Sequence, residues 1–183
     1  MESFLKQIES KIFDFFYIQK KDFVMLCISS AVLVFADLFT KHIVFEMNKP
    51  FLYVNNLFNI VKAKNFGISF GMFSDEIAPR TIIITVVCVA IISYLFSIIK
   101  QSKNYTKPNV FKFSVFFVIG GAIGNIVDRL QNGFVRDFLD FHINDIHWPA
   151  FNLADTFVCI GVGLLVLSEL VFKKPENKKS KRK

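Results

Sequence analysis

Residues 124–155, "GNIVDRLQNGFVRDFLDFHINDIHWPAFNLAD", bring together Asp128, Asp137, Asp140, Asp145 and Asp155. Carboxylates placed close together do acid–base chemistry. When two of them share one proton, the ionised one draws a proton from water while its protonated partner polarises a carbonyl. A local role is open to most of the groups involved. Asp128 beside Arg129 can close a helix end as an ion pair, and Asp37 can pair with Lys41 at i,i+4. Asp140, Asp145, His142, His147 and His42 can simply be solvated near loops. Asp155 has no such account. In "NLADTFVCIGVG" no basic residue falls within a turn of it, so it needs a proton or a partner from elsewhere in the chain.

The elements that must position these groups are apolar. Of 183 residues 53% are hydrophobic, 24 are phenylalanine, and the formal charge is +7 from 22 Lys+Arg against 15 Asp+Glu. That length suits one domain, and the apolar excess points to a membrane protein rather than a soluble core. The lysines gather at the two ends and in one internal loop, which suits anionic lipid and membrane topology and not nucleic acid. Cys27, Cys88 and Cys159 stand alone in apolar runs and read as small buried hydrophobes, and no residues have metal-ligand spacing.

Crossing a bilayer takes about 20 mostly apolar residues as a helix. Four stretches qualify, at about 23–45, 80–100, 112–130 and 151–172. Lysines precede the first span, fill the loop between the second and third (Lys100, Lys103, Lys107, Lys112) and follow the fourth in "KKPENKKSKRK". Short Lys-rich segments stay cytoplasmic, so both termini and that middle loop are expected inside. The first span starts too late and runs too long for a cleavable signal. Residues 1–20 repeat apolar positions at near-helical spacing and read as a cytoplasmic interfacial helix. Residues 173–183 read as a basic cytoplasmic tail. Segment 46–78, with "FLYVNNLFNIVKAKNFGISFGMF", is rich in β-branched and aromatic types broken by turn signals. The expected fold is therefore an all-α membrane protein of four transmembrane helices, with a small β-rich cradle on the outer face and an outer loop between the third and fourth helices.

Under this topology Asp37, Asn125, Asp128, Arg129, Asn152 and Asp155 all reach the outer end of their helices. Ionisable groups inside a bilayer cost about 2.5–3.5 kcal/mol each on insertion scales, so they face a bundle interior or a wet cavity. Two other chemistries fit less well. A proton-coupled transporter would place polar residues at mid-depth, and the second span has none. A serine–lysine peptidase built on Ser69 with Lys62 or Lys64 would need a desolvated lysine.

The stretch "GGAIGNIVDRLQNGFVRDFLDFH" followed by "WPAFNLADT" resembles the bacterial lipoprotein signal peptidases, or signal peptidase II. "DLFTK" from Asp37 and "KNFGISFGMF" are similar to two further motifs of that family, and the resemblance covers roughly residues 23–172. Leu38, Phe66 and Ile68 depart from the family pattern. The resemblance implies an intramembrane aspartic endopeptidase. Such an enzyme removes the signal peptide from a diacylglyceryl-modified prolipoprotein, on the N-terminal side of the lipidated cysteine. It implies a catalytic pair of Asp137 and Asp155. Asn125, Arg129 and Asn152 would hold the substrate backbone and orient the carboxylates, Asn65 and Gly67 would line the cleft, and Asp37 would position its neighbours; Asp128, by its place beside Arg129, is expected to support that residue and the helix end. It further implies no metal or cofactor and a multi-pass place in the bacterial cytoplasmic (inner) membrane; membrane lipids as surroundings and a monomer are expected, with the site near the outer face as the topology already requires.

Overall fold

The computed structural model describes residues 20–67 and 77–175. The amphipathic extension expected over 1–20 and the end of the basic tail lie outside them, as does Ser69. Among the described residues four helices are long and apolar enough to cross a membrane. Helix α1 is Lys20–Glu46, α2 is Ile77–Ile98, α3 is Pro108–Asn132 and α4 is Leu153–Leu167. A 3₁₀ segment, Ile99–Asn104, extends α2, and a π turn, Ser168–Phe172, extends α4. Pro108 opens α3, where its missing N–H costs nothing, and Gly133 at φ 78° ends it in the left-handed conformation that favours glycine.

Helix α3 is the hub, packed on all three other helices. Small residues let it approach. A Cβ on Gly121 would stand 2.4 Å from the Ala154 carbonyl of α4, and one on Gly124 would stand 2.8 Å from an Asp37 carboxylate oxygen of α1. The apolar core lies at the opposite end of the bundle from these contacts. There Ile99, Phe111, Val115 and Phe116 are buried and Tyr105 stacks on Phe111 at 4.2 Å. The outward helix faces are apolar, with Ile28, Val32 and Phe35 more than 60% exposed, as a lipid-facing stripe requires. Cys27 and Cys159 share that exposed surface instead of packing in a protein core, whereas Cys88 is half-buried within electrostatic reach of Arg129.

Four strands, β1 (Phe51–Asn55), β2 (Phe58–Asn65), β3 (Val135–Ile143) and β4 (Ile146–His147), form one antiparallel sheet in the order β1-β2-β3-β4. The first two are the expected cradle. The third corrects the expectation of a loop between the last two helices: "VRDFLDFHI" is a nine-residue strand paired along β2. Its β-branched and aromatic residues on both faces suit the pairing. The sheet caps the end of the bundle where α1 stops and α4 begins, with the Phe151 backbone bonded to Phe138 and Leu139.

Candidate active site

Asn152 is the N-cap of α4, and its side-chain oxygen accepts from the Asp155 N–H at 3.0 Å. The Asp155 carboxylate returns the favour, accepting from the Asn152 N–H at 3.1 Å. This reciprocal capping box satisfies two helix-end donors. It supplies the local partner that had seemed lacking for Asp155, and its sequence signal is the spacing in "NLAD". The second oxygen of Asp155 accepts from the Asn125 side-chain amide at 2.8 Å.

Asp137 arrives from a different direction. It sits near the start of β3, opposite Ala63 of β2, and is 2% exposed. Asn152 donates its amide to one oxygen at 2.7 Å, and Asn65, at the end of β2, donates to the other at 2.9 Å. Asn152 thus touches both carboxylates, one through its side chain and the other through its backbone. Burial pushes the Asp137 carboxyl up, the Asn65 hydrogen bond pulls it down and the charge of Asp155 raises it again, for a net value of about 6.

Behind the pair lies a buried charge cluster that the local-pair reading of Asp37 understated. Lys41, fully buried, contacts Asp37 at 2.7 Å, the Asn125 carbonyl oxygen at 2.9 Å and Asp128 at 3.6 Å. Asn125 also accepts from Asn152 at 3.1 Å, so one chain of polar contacts runs from Lys41 to both aspartates. The other oxygen of Asp37 accepts from the Ala154 N–H at 2.9 Å, pinning the first turn of α4 onto α1. The sequence showed Lys41 as the i,i+4 partner of Asp37, whereas its reach to Asn125 and Asp128 comes from the packing of α1 on α3.

Asp128 was expected to pair with Arg129. It is held instead by Arg136, through both Nε and the backbone N–H at 2.7 Å, and by the Asn132 amide at 2.9 Å. Adjacent residues on a helix point about 100° apart, so Asp128 and Arg129 face different neighbours. Arg129 is left with a buried Nε that has no partner among the described residues, within electrostatic reach of Asp137 and Asp155. A Cβ built on Gly67 would lie 3.7 Å from its guanidinium, and the Gly67 N–H donates to the Asn65 side chain. All nine residues named for the site therefore converge.

The other polar residues sort differently. Asp140 is not solvated: it is 6% exposed, accepts from Asn59 at 3.1 Å and meets His147 Nδ1 at 2.8 Å. Burial pushes its carboxyl up, but those two hydrogen bonds outweigh burial and hold it below the usual range. His142 stacks on His147 at 4.9 Å. Asp145 and His42 are exposed, as expected. Lys62 is taken up by the carbonyls of Phe45 and Met47, and Lys64 lies over the Phe134 ring, so neither is a free desolvated base. Among the described residues no cluster of three His, Cys, Asp or Glu is set for a metal ion.

The family model described as Signal peptidase (SPase) II matches residues 29–171. A lipoprotein signal peptidase of Sulfurihydrogenibium sp. is 39% identical over 85% of this chain and 96% of its own length. One from Serratia proteamaculans is 39% identical over 69% of this chain and 72% of its own. A bacterial membrane enzyme structure obtained by the in meso method at 1.9 Å superposes with a TM-score of 0.64 at 28% identity, covering 80% of this chain and 93% of that one. With four spans, an antiparallel sheet and a family match over most of its length, the chain is a multi-pass membrane protein that belongs to the signal peptidase II family.

Proposed function

We propose that the chain is an intramembrane aspartic endopeptidase that cleaves diacylglyceryl-modified prolipoproteins just before the lipidated cysteine. Asp137 and Asp155 are its catalytic pair. The observation that carries this reading is the double contact of Asn152 with both carboxylates, which fixes their relative orientation.

In the mechanism the pair holds one proton and a water. The ionised carboxylate takes a proton from the water as it attacks the scissile carbonyl, and the protonated one hydrogen-bonds the carbonyl oxygen. Proton transfer to the amine then releases the signal peptide. The elevated Asp137 value suits it to hold the shared proton near neutral pH. Arg129, whose Nε has no partner among the described residues, and Asn65 would hold substrate backbone, and Lys41, Asp37 and Asp128 would position the groups behind them.

Both termini are cytoplasmic in this reading, which sets the sheet and the carboxylates at the outer face. That is where a precursor presents its lipidated cysteine. The enzyme acts as a monomer surrounded by membrane lipids, without metal or cofactor. The test is cleavage of a diacylglyceryl-modified precursor in detergent by Asp137→Asn and Asp155→Asn. Each is expected to lose at least about 10³-fold in kcat. Wild-type turnover by either variant would remove that residue from the pair. An unlipidated precursor is expected to be a poor substrate.

A further inference from the structure

Helix α2 turns a face of its own toward the site. In "TIIITVVCVAII" the residues Thr81, Ile84, Thr85 and Cys88 fall at i, i+3, i+4 and i+7, and all four are half-buried, while the isoleucines and valines between them are exposed. The stripe therefore looks into the protein. Three of its four members carry a polar atom, and farther along the same face passes through Leu95 and Ile99 into the apolar core. The polar part lies across from Arg129. A Cβ on Gly67 would meet the Ile84 side chain at 2.4 Å and the Arg129 guanidinium at 3.7 Å, and Cys88, one turn on, is within electrostatic reach of the same guanidinium.

This region holds two buried polar atoms without a hydrogen-bond partner among the described residues, Arg129 Nε and Thr85 Oγ1. A hydroxyl on a helix commonly donates to a carbonyl three or four residues back, as Ser93 and Ser97 of α2 do at 2.8 and 2.7 Å. Thr85 does not. The two unpartnered groups are chemically complementary: a guanidinium only donates and can serve carbonyls alone, whereas a hydroxyl oxygen accepts.

A peptide cut inside a bilayer must leave its helix around the scissile bond, and each freed N–H and C=O then needs a partner that hydrocarbon cannot offer. The amide oxygens around the carboxylate pair are already engaged. Asn65 Oδ1 accepts from the Gly67 N–H, Asn152 Oδ1 from the Asp155 N–H, and Asn125 Oδ1 from Lys41 and Asn152. An acceptor for a freed N–H has to come from another wall.

We infer that α2 is that wall, and that the Thr85 hydroxyl accepts a hydrogen bond from a backbone N–H of the unwound signal peptide while Arg129 donates to a carbonyl across the gap. Thr85 is then a substrate-binding residue on the span whose sequence is otherwise apolar. The inference rests on the peptidase reading of Asp137 and Asp155 and extends it.

The test is an amide-to-ester scan of a diacylglyceryl-modified precursor, replacing one backbone N–H at a time by oxygen in the last helical turn before the lipidated cysteine. With the wild-type enzyme one position is expected to lower kcat/KM about tenfold. Thr85→Val, which keeps the shape and removes the hydroxyl, is expected to lose about as much on the all-amide precursor and to be indifferent to the ester at that position. Thr85→Ser is expected to restore both the rate and the ester sensitivity. A scan that is flat with the wild-type enzyme overturns the inference and needs no variant to fold. An ester penalty that persists undiminished in Thr85→Val also overturns it, because that N–H would then be held elsewhere. Failure of the peptidase reading shows separately, as normal turnover by Asp137→Asn or Asp155→Asn.

Discussion

Asp155 and Asp137 do different structural jobs, and this separates them experimentally. Asp155 closes a capping box, so its replacement by asparagine is expected to cost about 1 kcal/mol of stability as well as activity. Asp137 caps nothing. Its folded-state value of about 6 exceeds the unfolded 3.8, so the folded protein binds more protons between those values. Its contribution is therefore present in acid and is lost as pH rises from about 4 through about 6. Thermal unfolding should show wild type losing of order 2 kcal/mol across that interval relative to Asp137→Asn. Equal slopes would mean that Asp137 is not held protonated by its surroundings. The Asn65 hydrogen bond favours the ionised form, so Asn65→Ala should raise the Asp137 value further. The alkaline limb of the kcat/KM profile is expected to move up by roughly one pH unit, and a downward move would contradict the role assigned to that bond.

Among the elements, α1 and α3 are joined by Lys41 as much as by apolar packing. Lys41→Met would leave Asp37 and Asp128 buried with one cation fewer and is expected to destabilise by about 3–5 kcal/mol in chemical denaturation. A loss under 1 kcal/mol would show that the cluster is not held by that charge. The four helices were legible in the sequence because length and hydropathy suffice to mark a span. The strand Val135–Ile143 was not, since two aspartates and a histidine hide its alternation and its partner lies some 70 residues upstream. The site was legible in part for the same reason. Depth in the membrane singled out Asp155, a family resemblance alone chose Asp137, and the partner of Asp128 depended on where β3 returns Arg136.

For the whole molecule, orientation is the property that gives depth a meaning. Cysteine reporters at Asp145→Cys, on the β3–β4 turn, and Lys103→Cys, in the loop between α2 and α3, should answer oppositely to a membrane-impermeant thiol reagent in intact cells. The first is expected to react at once and the second only after permeabilisation. The reverse pattern would invert the proposed topology and move the site to the cytoplasmic face. Correct depth still leaves a problem of electroneutrality. Among the described residues the buried and half-buried assembly contains four carboxylates, Asp37, Asp128, Asp137 and Asp155, against three cations, Lys41, Arg129 and Arg136. The balance is one negative charge, and a single proton on the Asp137–Asp155 pair brings it to zero. The low-dielectric surroundings therefore favour the monoprotonated pair that the proposed mechanism uses. Because the proton of the proposed mechanism only moves between water, peptide and carboxylates, that zero balance would be kept through the turnover.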